Sequence, residues 1–393
     1  MSLFADLVYE GARSVTGPLL ASLGASALVV GLITGAGEAI ALVLRLFFGS
    51  LADRTGNYWG LTLIGYALTA VCVPLLAVTP FVGSVGLLLA CGLILAERTG
   101  KAVRSPSKSA LLAQAATSLG RGRGFGVHKA LDQVGAFAGP LVVAGVIALT
   151  ASIWPAMAIL AIPGAAAIVL LLWIRSNVPD LSVYETATVE QRPVVASVRS
   201  APRRALAVNV GAELPRPFFV FAAAAGAASA GLVTYGLIGY HLTTDQLVPI
   251  AAVPLLYAAA MAVAAVAALV SGWVFDRRGG TVLYALPVLV ALVPALALSD
   301  RVGLVLVGIL LWGAAVGVQD STVKALVADL VPPARRATAY GVFAAIQGAA
   351  VVIGGGVAGY LYSRSLLALV IIVAVTQVGA LVLLVVNTRA RPS

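Results

Sequence analysis

Apolar residues in this chain come in long runs, and polar residues gather in short stretches between them. About 20 mostly apolar residues carry an α-helix across the hydrocarbon core of a bilayer. Laid along the chain, that length predicts spans near 3–23, 27–51, 58–78, 82–104, 123–150 and 154–174. A polar stretch near 175–216 follows, then spans near 217–241, 247–274, 281–298, 303–328, 338–362 and 365–386. The pattern predicts an all-α integral membrane protein with twelve transmembrane helices in two six-helix bundles. It divides the chain into residues 1–175, a linker over 176–215 that reads as a tether with some local helix, and residues 216–393.

The first run carries no basic leader or small-residue cleavage site, and Asp6 and Glu10 interrupt it. It therefore reads as a working first helix and not a removed signal.

Composition makes lipid the solvent for most of the chain. It is 61% hydrophobic and 10% charged, too little charge to cover a water-soluble protein of 393 residues. The 41 glycines suit close helix packing in a bilayer. Cys72 and Cys91 fall within apolar runs and read as packing residues; with only two histidines, neither a metal site nor a cofactor is expected.

The net charge of +10 is placed for topology and not for nucleic acid. With the N-terminus in the cytoplasm, sixteen of the 25 Lys and Arg lie in cytoplasmic loops or the tail, and only Arg301 and Arg364 lie in exterior loops. That bias orients the chain in the cell (inner) membrane with both termini cytoplasmic.

One phrase occurs twice. Gly49-Ser-Leu-Ala-Asp53-Arg54-Thr-Gly56 returns as Gly272-Trp-Val-Phe-Asp276-Arg277-Arg-Gly279, each time between the second and third spans of a half. A second correspondence links Ala110-Leu-Leu-Ala113, Arg121 and Phe125-Gly126 to Ala325-Leu-Val-Ala328, Arg336 and Tyr340-Gly341. The halves are therefore a parallel duplication, an arrangement that places a site between them.

G-x-x-x-D-R-x-G at these positions resembles the signature loop of the major facilitator superfamily, and the resemblance covers the whole chain. It implies that Asp53 and Asp276, with Arg54 and Arg277, act as a conformational gate between the halves. Gly49, Gly56, Gly272 and Gly279 complete that gate. Asn57 and Tyr58, and Gly280 and Thr281 in the second copy, stand where the family has basic residues, so a charge relay through that position is not implied. Gly126, Gly135 and Gly139-Pro140 on the fifth span resemble the antiporter motif of the same superfamily, with Val143-Ala144 in place of its closing glycines. That resemblance implies exchange of substrate for protons; the alternative is plain small-residue packing.

Ionisable residues within spans are costly and are functional candidates by default. Asp6, Glu10 and Arg13 lie at i, i+4, i+7, as do Glu97, Lys101 and Arg104 beside Arg98. Glu38 and Arg45 lie on the second span and His128, Lys129 and Asp132 on the fifth, whereas the second half offers mainly Asp320 and Lys324. The family resemblance turns the stripes of helices 1 and 4 toward a central cavity. Asp6 and Arg104 can equally snorkel to the interface, Glu38 and Arg45 can lock helix 2 to helix 4 or 11, and Asp320 and Lys324 can neutralise each other.

The reading is an alternating-access secondary transporter, a proton-coupled antiporter exporting a small organic or amphiphilic substrate. Its partners are that substrate, protons and the bilayer, and it is expected to be a monomer. Glu97 and Asp132 lead as proton carriers and Glu10 follows. Asp6, Arg13, Glu38, Arg98, Lys101, Arg104, His128, Asp320 and Lys324 supply counter-charges or substrate contacts. A lipid flippase, a proton-coupled importer of an organic anion and a non-transporting receptor or scaffold are the alternatives. No nucleophile elbow or phosphate loop marks an enzyme, and no ATP signature replaces an ion gradient.

Overall fold

The computed structural model describes residues 1–115, 121–178, 214–332 and 335–389, leaving aside side chains at 121–125, 324–325, 328–329, 336–337 and 388–389. The expected linker falls mostly on residues 179–213, outside the described residues.

Every expected span is helical. The first half comprises α1 (Ser2–Arg13), α2 (Thr16–Ser22), α3 (Ala27–Thr55), α4 (Tyr58–Leu75), α5 (Gly86–Ala115), α6 (Arg121–Thr150), α7 (Ile153–Ile159) and α8 (Ala161–Asn177). The second comprises α9 (Arg216–Gly231), α10 (Tyr235–Thr244), α11 (Ala252–Arg278), α12 (Ala285–Ala297), α13 (Val302–Leu330), α14 (Arg336–Tyr362) and α15 (Leu366–Arg389). Among the described residues ten segments are long and apolar enough to cross a bilayer. One of them, Ala252–Ala297, is two crossings, α11 and α12, because the chain turns at Gly279. α1 with α2 adds the crossing whose charges keep it off the apolar count, which brings the total to twelve.

The repeated phrase ends on glycine for a local reason. Gly56 and Gly279 stop α3 and α11 with positive φ of 64° and 61°, Gly56 in the left-handed helical region and Gly279 in an extended one, and glycine adopts both without strain.

Two crossings are broken, at matched places. The first breaks between α1 and α2 at Ser14, whose hydroxyl donates to the Gly11 carbonyl at 2.6 Å. The seventh breaks between α9 and α10, where Thr234 caps α10 and Trp312 Nε1 donates to the Val233 carbonyl at 2.8 Å. Val15 and Thr234 stand 219 residues apart, as do Gly17 and Gly236. These last two meet backbone to backbone, so α2 and α10 close one end of the molecule.

Within the first half, α1 lies on α6, α3 and α4 lie on α5, and α4 lies on α8. In the second, α9 lies on α14 and α15, and α13 lies on α11 and α12. Each half has its own apolar core, around Leu19, Leu20, Met157 and Leu160 in one and Phe218, Phe221, Tyr257 and Trp312 in the other. Large apolar side chains such as Leu149, Phe81 and Leu269 cover the outside, as a lipid-facing surface requires.

The halves also join along α3 and α14. Gly31 abuts the Gly355 carbonyl, Gly35 abuts Val351, and Gly348 abuts Ala39. α6 and α11 make a second lateral contact.

Candidate functional site

Between the halves lies a cavity of about 860 Å³, lined by α1, α3, α5 and α6 on one side and by α9, α11, α13 and α14 on the other. α2 and α10 seal it at one end. Lys108, Lys129, Asp320 and Val323 carry its lining toward the end where the Asp-Arg loops lie. On that side α5 packs on α3 and α4, and α13 packs on α11 and α12.

The two walls differ in kind. The first half contributes Asp6, Glu10, Arg13, Glu38, Arg45, Lys101, Arg104, Lys108, Lys129 and Asp132. Among the described residues the second half contributes one charge, Asp320, beside Met261, Ala264, Ala268, Trp312, Val316 and Phe343. Its other polar groups are neutral: Gln347 Nε2 donates to Ser229 at 3.0 Å, and the Ser229 hydroxyl lies 3.5 Å from Gln319 Oε1.

The asymmetry runs through positions related by the duplication. The 215-residue offset pairs Asp132 with Gln347 and Arg104 with Gln319, and the 219-residue offset pairs Glu10 with Ser229. Three ionisable groups of the first half thus have as counterparts the three members of the neutral network opposite.

Near the sealed end the charges form one network. Arg13 pairs with Glu38 at 2.7 Å and approaches Glu10 at 3.8 Å. Arg98 lies 3.9 Å from Glu38 and 3.6 Å from Glu97 and donates to the Tyr9 hydroxyl. The Tyr9 ring sits beneath Lys101, with Nζ 3.6 Å from its centroid, and beside Arg98 at 4.4 Å. Tyr257 crosses from the second half to donate its hydroxyl to Glu10. These are paired charges in a largely apolar surround, which is how ionised groups are tolerated there.

Nearer the open end a second cluster forms around Asp132. Its Oδ2 lies 3.7 Å from Lys108 and 3.5 Å from His128, and Lys108 donates to Ser2 at 3.1 Å. Among the described residues no group of three or more His, Cys, Asp or Glu is placed to hold a metal ion.

Most of the residues singled out from sequence meet here. Asp6, Glu10 and Arg13 all face the cavity, as do Lys101 and Arg104. Glu97 does not share their face. It is 4% exposed and turned toward α4, where Thr69 donates to it at 3.2 Å. Thr69 also accepts from Arg104, so one hydroxyl ties both side chains to α4. Arg98 lies behind the wall with Glu97, and His128 lies beside Asp132 without lining the cavity. Asp320 lines the opposite wall; the side chain of Lys324 is outside the described residues.

The Asp-Arg loops lie exposed at the open end. Asp53 accepts from the Tyr58 hydroxyl at 3.2 Å, and Arg277 stacks 3.4 Å above the Trp273 ring. Asp53, Arg54 and Asp276 are all exposed. Gly49 faces Pro106 of α5, and Gly272 faces open space. On α6, Gly135 and Gly139 receive the Leu3 and Leu7 carbonyls of α1, Pro140 is buried, and Gly126 meets nothing. The offset of 215 turns Gly139 into Gly354, which receives the Ala230 carbonyl of α9 in the same manner.

Tyr9, Tyr257, Thr69 and Lys108 take part without having been singled out. An aromatic in an apolar span carries no distinguishing pattern. Lys108 continues the Lys101 and Arg104 stripe by one turn, on a helix that runs to Ala115, well past the expected end of the fourth span.

A model of the Major Facilitator Superfamily matches residues 2–300 and 255–393. An uncharacterized protein of Mycobacterium tuberculosis is 49% identical over 385 residues, covering 98% of this chain and 90% of its own length. An uncharacterized MFS-type transporter of Methanocaldococcus jannaschii is 26% identical over 138 residues, 35% of this chain and 33% of its own. The fold is similar to that of the nucleoside transporter NupG, with a TM-score of 0.70 at 15% identity, covering 99% of this chain and 98% of that one. It is also similar to the inward open conformation of the E. coli xylose transporter XylE, with a TM-score of 0.67 at 12% identity, covering 100% and 95%. With the family model spanning both halves, the chain belongs to the Major Facilitator Superfamily and is a membrane transporter of that type.

Proposed function

We propose that this transporter is a proton-coupled antiporter that exports an amphiphilic substrate by alternating access. The observation that carries the reading is the cavity between the halves, with carboxylates and cations on one wall and a mostly apolar wall opposite. The bias of Lys and Arg toward the loops at the open end supports a cytoplasmic position for that end. Residues 1–175 and 216–393 then rock as units about the α3–α14 contact, joined through 176–215. The Gly17–Gly236 seal parts as the Asp53 and Asp276 loops close.

The geometry favours Glu10 and Asp132 over Glu97 as proton carriers. Both line the cavity and each lies beside a cation, Arg13 at 3.8 Å and Lys108 at 3.7 Å. A carboxylate that alternates between a cation and a proton changes its proton affinity as the cation moves away. Glu10 has the further feature that Tyr257 of the other half donates to it, so motion of the halves changes its surroundings directly. Glu97, sealed behind the wall, holds Arg98 in place.

Purified protein in liposomes containing a pH-sensitive dye tests this reading. Permanently charged C8 amphiphiles, octyl sulfate and octyltrimethylammonium, are added on one side, and protons are followed on the other. Protein-dependent proton movement with one of them, lost at least tenfold in Glu10→Gln or Asp132→Asn, is expected. Full proton movement in both variants, or none in the unaltered protein, overturns proton coupling.

A further inference from the structure

The cavity's charges are not evenly matched. Arg13 is held by Glu38 and Glu10, and Lys108 by Asp132. Arg104 is turned to neutral partners, Thr69 and the Gly65 carbonyl. Arg45, Lys101 and Lys129 line the same wall with no carboxylate within 4 Å among the described residues. Among the described residues Lys101 has only the Tyr9 ring, and Arg45 Nε is buried with no hydrogen-bond partner.

The acids do not answer this excess. Glu10, Glu38 and Asp132 are engaged by the cations just named, and Asp6 shares its wall with six bases. Asp320, the one acid opposite among the described residues, is the carboxylate whose charge acts most on Arg45, but it lies exposed at the open end of α13 and forms no ion pair with it within 4 Å. Arg45 is half-buried on the cavity wall, so its guanidinium can meet a ligand there while its buried Nε–H stays unmet. Its planar fork fits a carboxylate, phosphate or sulfate group. Facing it lie Trp312, Met261 and Phe343, with no cation among the second half's described lining residues.

We infer that the substrate is an amphiphilic anion. Its charged head sits between Arg45 and Lys101, and its apolar body lies against Trp312, Met261 and Phe343. Lys129, exposed at the entrance, draws the head inward. This inference rests on the amphiphile reading above and decides the sign of the head group, which that reading leaves open.

Equilibrium binding to the full chain in nanodiscs of uncharged phosphatidylcholine lipid tests it. The probes share a C8 tail: octyl sulfate, octyl phosphate, octanoate, octyltrimethylammonium and octyl glucoside. At least one anion should bind tenfold or more tightly than the cation and the glucoside, and the three anions separate an oxyanion of sulfur or phosphorus from a carboxylate. Arg45→Gln and Lys101→Gln should each weaken the anion about tenfold and leave the glucoside unchanged. Arg45→Lys, which keeps the charge, should recover much of the loss and so separates recognition from misfolding. Saturable binding that prefers the cation, or ignores charge, overturns the inference and leaves the amphiphile transporter standing. No saturable binding by any probe overturns both.

Discussion

Tyr9 concentrates much of the site's physics in one side chain. It is 2% exposed, its hydroxyl accepts from Arg98, and its ring lies under Lys101 and beside Arg98. A hydrogen bond to a charged group is worth about 1.5–3 kcal/mol, and a desolvated cation–π contact about 2 kcal/mol. Tyr9→Phe should therefore lower stability by about 2 kcal/mol in denaturant unfolding, and Tyr9→Leu should cost clearly more. Equal losses would mean that the ring contributes nothing beyond its bulk. Spacing could place Glu97, Lys101 and Arg104 on a common stripe, but it could not see Thr69 on the neighbouring helix, which takes Glu97 out of the cavity. Tyr9 and Tyr257 were invisible for a related reason: their roles come from partners on other helices, and nothing in their own spans distinguishes them. The cations and acids were legible because charge within a membrane span is conspicuous by itself.

At the scale of elements, α6 shows what its glycine motif does in this fold. Gly139 admits the backbone of α1, whereas Gly145, on the same helix, faces open space. Gly139→Ala should lower the thermal midpoint and the yield of folded protein, and Gly354→Ala should do the same at the α9 contact. Gly145→Ala should be neutral or slightly stabilising, since alanine is the better helix former. Equal behaviour of Gly139→Ala and Gly145→Ala would remove the packing account. Span lengths were readable because a bilayer imposes one length on every crossing. The breaks at Ser14 and Thr234 were not, because local hydroxyl caps and the Trp312 contact accommodate them without interrupting the apolar run. α5 overran its expected end because Lys108 turns into a polar cavity between the halves instead of leaving the membrane.

For the whole molecule, the sealed end makes the cycle testable. The Thr34 and Thr234 hydroxyls meet across the halves at 2.8 Å, close to the Gly17–Gly236 contact. With Cys72 and Cys91 replaced, Thr34→Cys with Thr234→Cys should cross-link under oxidation, hold the cavity open at one end and stop proton movement until reduced. Unchanged proton movement by the cross-linked protein would argue against rocking about this seal. The duplication itself was legible from the twofold phrase around Asp53 and Asp276 and from the matched Ala110 and Ala325 stretches. How the halves sit against one another was not, because interfaces such as Gly31 on Gly355 are made of backbone atoms that leave no periodicity to find.

The unequal walls carry an electrical consequence. Among the described residues, all six basic side chains lining the cavity, and four of its five acidic ones, belong to the first half. A transmembrane voltage exerts force on fixed charge in proportion to the field that charge crosses. When the halves tilt, the field acts on the net charge each carries, six bases less four acids on the first wall and Asp320 on the second among the described residues. Under the proposed rocking, membrane voltage biases the resting equilibrium between the two orientations before any ion or solute is bound, with the larger net charge on α1, α3, α5 and α6.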